Sequence, residues 1–293
     1  MSPSHPLAGR RVARMNGAGN TILVLDLRGS PVVPNAEDAR AINRAPRLDY
    51  DQMMVLTDPR TAGSAAYVRI YNNDGTRAGA CGNGARCVAD RLSRELGLAA
   101  LQVETEAGLI ACERLGPDTY RVDMGAPRLG WRDIPLARAV EDTRRVRLDW
   151  PAGDALAALG PAAVANMGNP HAAFFVADLA RIDAAGWGPR VETHPMFPEK
   201  VNVAFAEVGA RDDVAIRVWE RGVGLTRACG SAACATLVSA ARLGLMDRKA
   251  TVRQPGGELV IAWRASDDHV LMTGPVEEEG EFVLDDSLFE AAL

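Results

Sequence analysis

Residues 80–98 read ACGNGARCVADRLSRELGL, and residues 228–245 read ACGSAACATLVSAARLGL. Each opens with a cysteine in a glycine turn and runs on into a helical pattern. In the first, Val88, Arg91, Leu92, Glu95 and Leu96 give partial 3.6-residue periodicity, with Gly97 placed to cap the C-terminus. In the second, Ala235, Leu237, Val238, Ala241 and Leu243 leave almost no polar face. That pattern predicts a helix buried at the centre of a sheet or barrel.

The likeness extends outwards from the two cysteines. YVRIY at 67–71 precedes Cys81 and AIRVW at 215–219 precedes Cys229, and both alternate as strands do. Downstream, VDMGAP begins at Val122 and VLMTGP at Val270, an offset of 148 residues that also separates Cys81 from Cys229. Upstream, MNGAGNTILVLDL from Met15 resembles MGNPHAAFFVADL from Met167. A period near half of 293 residues is too long for a solenoid and fits two fused copies of one module. Short strands are expected at 101–105, 109–113, 120–124 and 259–263, with the first strand beginning near Val12. The fold class expected is α+β: two pseudo-symmetric domains from an internal duplication, each a curved, mainly antiparallel sheet or barrel around a central helix. The first half is expected over 10–130 and the second over 131–275, with the tail 276–293 available to pack back on the first and the active site in the cleft between them.

Composition narrows the function. The chain is 47% hydrophobic with a net charge of −5, so it can build real cores and lacks the basic footprint that holds a phosphate backbone. Nucleic acid is excluded as an expected partner. No apolar run approaches the roughly 20 residues that cross a bilayer, and no signal-peptide pattern opens the chain. A cytoplasmic protein is expected. Five cysteines, an odd number, argue against a disulfide framework, and Cys81 and Cys87 lack zinc-finger spacing. The chain has only two lysines, Lys200 and Lys249, which restricts any pyridoxal phosphate chemistry. No metal and no cofactor are expected.

A cysteine at a helix N-terminus meets unpaired N–H groups and about half a positive charge, which lower its pKa and attract a carboxylate. One such turn says little. Two in matched halves suggest a thiolate and a thiol flanking a single carbon, one removing a proton and the other delivering one, with both helix ends on the same α-carboxylate. Cys87, Cys112 and Cys234 read instead as small apolar fillers. A protease-like nucleophile would need only one activated cysteine.

With these residues in view, the chain resembles the diaminopimelate epimerase family. The resemblance rests on MNGAGNTILVLD, NNDGTRAGACGNGARC, MGNPHAAFFV, FPEKVNVAF and ERGVGLTRACGSAACA, in that order along almost the whole chain. It implies epimerisation of LL- to meso-diaminopimelate, a precursor of lysine and peptidoglycan, with no metal or pyridoxal phosphate and with a homodimer as the assembly. It implies Cys81 and Cys229 as proton donor and acceptor, and Glu220 and His171 among the catalytic groups. The amides of Gly82, Asn83, Gly230 and Ser231 would receive the carboxylate at the reacting carbon. Asn20, Gln52, Asn72, Asn169 and Asn202 align with substrate-binding amides. Glu220 and Arg221 would meet the ammonium and carboxylate at the substrate's far end, Arg221 by two parallel hydrogen bonds.

Some positions stay open or depart from the pattern. His171 can assist a thiol or fix its loop by hydrogen bonding; His194, in a Pro-rich loop, reads as structural. Asn73 reads as a turn residue. Asn16 stands where the family commonly has His, Thr21-Ile22 where it has Asp-Phe, and Ala232 and Ala233 where Gly is frequent. The rival readings are a related racemase acting on histidine, proline or hydroxyproline with the same thiol pair, a fold relative without thiol chemistry that isomerises or only binds a small molecule, and a thiol-redox protein.

Overall fold

The computed structural model describes residues 4–290. They form two compact units: one runs through Val122 and resumes at Gly274, and the other is Asp123–Thr273. The first contains β1 (Arg11–Asn16), β2 (Thr21–Asp26), α1 (Ala36–Arg44), β3 (Gln52–Thr57), β4 (Tyr67–Asn72), β5 (Arg77–Ala78), α2 (Gly82–Leu96), β6 (Ala100–Thr105), β7 (Gly108–Arg114) and β8 (Thr119–Asp123). The second contains β9 (Ala163–Asn166), β10 (Pro170–Phe175), α3 (Ala184–Glu192), β11 (Asn202–Ala210), β12 (Asp213–Glu220), β13 (Gly224–Thr226), α4 (Gly230–Arg242), β14 (Lys249–Gln254), β15 (Gly257–Trp263) and β16 (Val270–Pro275). The last strand, β17 (Glu277–Val283), lies antiparallel on β1 in the first unit.

Strand pairing repeats step for step between the units. In the first, β1 pairs β2 antiparallel, β2 pairs β3 parallel, β3 pairs β4 antiparallel, and β4 takes β5 antiparallel and β6 parallel, before the β6–β7–β8 meander. In the second, β9 through β16 follow the same scheme, with β10–β11 and β12–β14 as the parallel pairs. The fold is α+β, and each sheet is mainly antiparallel, as the alternating patterns require.

A parallel pair needs a crossover. α1 and α3, the short helices between β2 and β3 and between β10 and β11, supply it, and the sequence reading had only one helix per module. For α1 the signal was present: Asn35 caps the helix and Asp38 closes a capping box. For α3, Gly186, Gly188 and Pro189 blur the pattern.

The two cysteine helices form where the sequence puts them. α2 begins just after Cys81 and stops at Gly97, whose φ of 68° is the left-handed cap that glycine favours. It packs on β2, β3, β6 and β7, with Val88 and Leu92 buried. Each such side chain contributes about 1.5–3 kcal/mol by leaving water, which matters because a helix of this length is marginal alone. α4 packs on β9, β10, β11, β14 and β15 and is buried nearly all round. A further core lies under α1 in the first unit, around Leu23, Leu25 and Ile42, and another under α3 in the second, around Phe174, Val191 and Phe205. Among the described residues, no helix is long and apolar enough to cross a membrane.

Candidate active site

Each unit carries one thiol at a helix mouth, and the two settings differ. Cys81 is the N-cap of α2, partly exposed, and its Sγ accepts the Gly84 N–H at 3.2 Å. The first bond within the helix runs from the Ala85 N–H to the Cys81 carbonyl at 2.9 Å, so the amides of Gly82 and Asn83 precede the helical ladder. The Asn83 side-chain Oδ1 is buried without a hydrogen-bond partner among the described residues. Packing favours glycine at 84, since a Cβ there would press on the Met54 Sδ of β3 and force that side chain to shift.

The other polar groups of the first unit gather at the same end of its sheet. Gln52 is in register with Ile22 on one side and Asn72 on the other. Gln52 Nε2 donates to Asn72 Oδ1 at 3.0 Å, and Asn72 Nδ2 donates to Thr76 Oγ1 at 3.0 Å. Asn20 Nδ2 donates to Asp51 Oδ2 at 3.0 Å. The turn before Asn20 abuts the first turn of α2, since a Cβ on Gly17 would lie 3.1 Å from the Asn83 carbonyl oxygen. Arg86, fully buried, donates from Nη2 to the Gly17 carbonyl at 3.2 Å and ties the two turns together.

Cys229, the N-cap of α4, is buried. Its own N–H donates to Gln254 Oε1 at 2.7 Å, and Ser231 Oγ lies 3.6 Å from its Sγ. Burial pushes this thiol well up, and the neighbouring Glu220 carboxylate adds to that, against weaker opposite pulls from Ser231 and the Ala232 amide. The helix end does not set the pKa here. That corrects the expectation that both helix mouths depress their thiols: burial and a like charge outweigh a half-charge dipole. Thr226 Oγ1 donates to Glu220 Oε1 at 2.7 Å and fixes the carboxylate.

Asn202 opens β11, in register with His171. Its Nδ2 donates to the Pro170 carbonyl at 3.0 Å and its Oδ1 accepts the Arg221 N–H at 2.9 Å. Arg221 Nη1 donates to the Glu199 carbonyl at 2.9 Å. His171 Nε2 stands 2.7 Å from Asn169 Oδ1; with that oxygen as acceptor, Nε2 carries the proton and Nδ1 presents a lone pair. Nδ1 is buried with no partner among the described residues. Burial first, then the Arg221 charge, pulls the His171 pKa down to about 3, so the ring is neutral at ordinary pH.

The structure thus groups Asn20, Gln52, Asn72, Cys81, Gly82 and Asn83 in one unit, and Asn169, His171, Asn202, Glu220, Arg221, Cys229, Gly230 and Ser231 in the other. The remaining cysteines are buried, and burial holds the Cys87 and Cys112 thiols up at about 12, as inert fillers require. His194 is a fastener: its Nδ1 accepts the Met196 N–H at 3.1 Å. Sequence reasoning missed Thr226, Gln254, Arg86 and Glu192. Their signal is a polar side chain next to a motif, which acquires meaning only when folding brings its partner to it.

A solved structure shares the fold, and relatives supply the class. A structure described as a predicted epimerase from Pseudomonas aeruginosa superposes with a TM-score of 0.67 over 94% of this chain and 99% of that one, at 17% identity, and shares the fold. The diaminopimelate epimerase of Rhodopseudomonas palustris strain BisB18 is 54% identical over 98% of both chains, and that of strain BisA53 is 52% identical over 98% of this chain and 99% of its own. The protein is an isomerase of the amino-acid epimerase class. The diaminopimelate epimerase profile matches residues 12–130 and 163–278, and the chain belongs to the diaminopimelate epimerase family.

Proposed function

We propose that this chain interconverts LL- and meso-diaminopimelate by moving protons through Cys81 and Cys229, with no cofactor. The observation that carries the reading is the unequal setting of two otherwise equivalent thiols. Cys81 is partly exposed and its Sγ accepts the Gly84 amide, whereas burial and Glu220 keep Cys229 protonated. A resting pair of one thiolate and one thiol is what a single inversion consumes. The thiolate takes the α-proton from one face, the electron pair spreads onto the α-carboxylate, and the thiol gives its proton to the opposite face. The pair ends with its protonation states exchanged, ready for the reverse reaction, and proton exchange with water resets it for another forward turnover.

The amides of Gly82, Asn83, Gly230 and Ser231 hold the α-carboxylate as its charge grows. His171, neutral through burial, holds the Asn169 side chain in place. Arg221 and Glu220 receive the second amino-acid group, with Asn20, Gln52, Asn72, Asn169 and Asn202 completing the polar lining. The product feeds lysine and peptidoglycan synthesis in the cytoplasm, and the enzyme works as a homodimer. The test is α-proton exchange of diaminopimelate in heavy water with the wild type and the Cys81→Ala and Cys229→Ala variants. Both variants lose epimerisation. Retained epimerisation in either one refutes a two-thiol mechanism, and equal turnover of proline or histidine by the wild type refutes the substrate.

A further inference from the structure

The turn carrying Glu220 and Arg221 hangs from a residue that the proton transfer above does not use. Glu192, the last residue of α3, is only 6% exposed. Its Oε2 accepts the Trp219 indole N–H at 2.7 Å, and its Oε1 accepts the Gly222 backbone N–H at 3.0 Å. The two donors come from the residues immediately before and after Glu220-Arg221. Lys200 Nζ lies 3.6 Å from the same carboxylate, on a residue held at a left-handed φ of 59°.

A second observation comes from one turn earlier on α3. A Cβ at Gly188 would stand 2.5 Å from Trp219 Cγ, so the indole lies directly on bare helix backbone. Positions 188 and 192 share one helix face. α3 therefore supplies both the seat for the Trp219 ring and the acceptor for its nitrogen.

Local physics disfavours this carboxylate twice. A negative charge at a helix C-terminus opposes the dipole, and a buried charge is costly unless its lone pairs are used. Its presence follows from the two incoming groups, which are both donors. Glutamine has one acceptor oxygen and would set an NH2 group against the second N–H. Only a carboxylate serves both.

We propose that Glu192 is a positioning residue, which clamps Trp219 and Gly222 so that the Glu220 and Arg221 side chains between them meet the substrate in one arrangement. The Asn202 Oδ1 bond to the Arg221 N–H is the third point of this suspension. The inference rests on the reading of Glu220 as the neighbour of a working Cys229 and of Arg221 as a substrate group.

The experiment compares Glu192→Gln, Trp219→Phe and the double variant by epimerisation kinetics across pH, with thermal melts alongside and Cys229→Ala as control. Glu192→Gln should lower kcat/KM roughly tenfold to a hundredfold, the scale of a misplaced reacting group. It should raise KM as Arg221 loosens and move the alkaline limb of the profile to lower pH as Glu220 leaves Cys229. In the Trp219→Phe background the same change should cost less, because glutamine's one oxygen then has one donor to serve. Equal costs in the two backgrounds, or a lowered melting temperature with unmoved KM and pH limb, overturn the proposal. If the glutamine variant does not fold, Glu192→Asp, which keeps both acceptors but withdraws them on a shorter stem, should move KM and the alkaline limb in the same directions, and unmoved values overturn the proposal. A Cys229→Ala variant that still epimerises fails the thiol reading itself, independently of any Glu192 coupling.

Discussion

His171 gives a quantitative expectation for stability. In the folded chain its pKa falls from an ordinary 6.5 to about 3, because burial strips the imidazolium of water and Arg221 adds a like charge. Between those two values the unfolded chain binds a proton that the native state refuses. Stability from this group is therefore complete above pH 6.5 and is lost as pH falls towards 3. At about 1.4 kcal/mol per pH unit, the loss across the window is roughly 4–5 kcal/mol, a large share of a domain's total stability. The variant to compare is His171→Gln, which keeps a donor for Asn169 Oδ1 and cannot titrate. Denaturant unfolding at a series of pH values, read as slopes, cancels any fixed cost of the substitution. The wild type should fall more steeply by close to one proton's worth across the window. Parallel slopes would refute the argument, since they would mean that His171 is protonated in the native state or reaches water.

Two further expectations concern the thiols. Glu220→Gln removes the like charge that helps raise Cys229, so the Cys229 thiolate should appear at lower pH, read from thiolate ultraviolet absorbance in a Cys81→Ala background. An unmoved or higher titration would exclude Glu220 as a cause. Gly84→Ala drives a methyl into Met54 Sδ and should cost about 1–3 kcal/mol while cutting kcat, because the Gly84 N–H is the donor to Cys81 Sγ. Met54→Ala in the same chain should restore part of both, and no recovery would place the strain elsewhere.

The sequence alone determined what depends on near neighbours along the chain. Alternation marked YVRIY and AIRVW as strands, a glycine turn before an apolar run put Cys81 and Cys229 at helix mouths, and Gly97 ended α2. The duplication was legible for the same reason, since equal local patterns recur at a fixed offset. Tertiary structure decided what depends on distant partners. It chose the parallel pairs β2–β3 and β10–β11 and needed α1 and α3 to cross between them. It brought Gln254 to the Cys229 amide, Thr226 to Glu220 and Glu192 to Trp219 across gaps of 25, 6 and 27 residues. It also made the two thiols unequal. Near-identical turns, ACGNG and ACGSA, differ little in local field, but one sulfur is partly exposed while the other is buried beside a carboxylate. A pKa answers to desolvation and to charges in space, and neither is written in the spacing of residues.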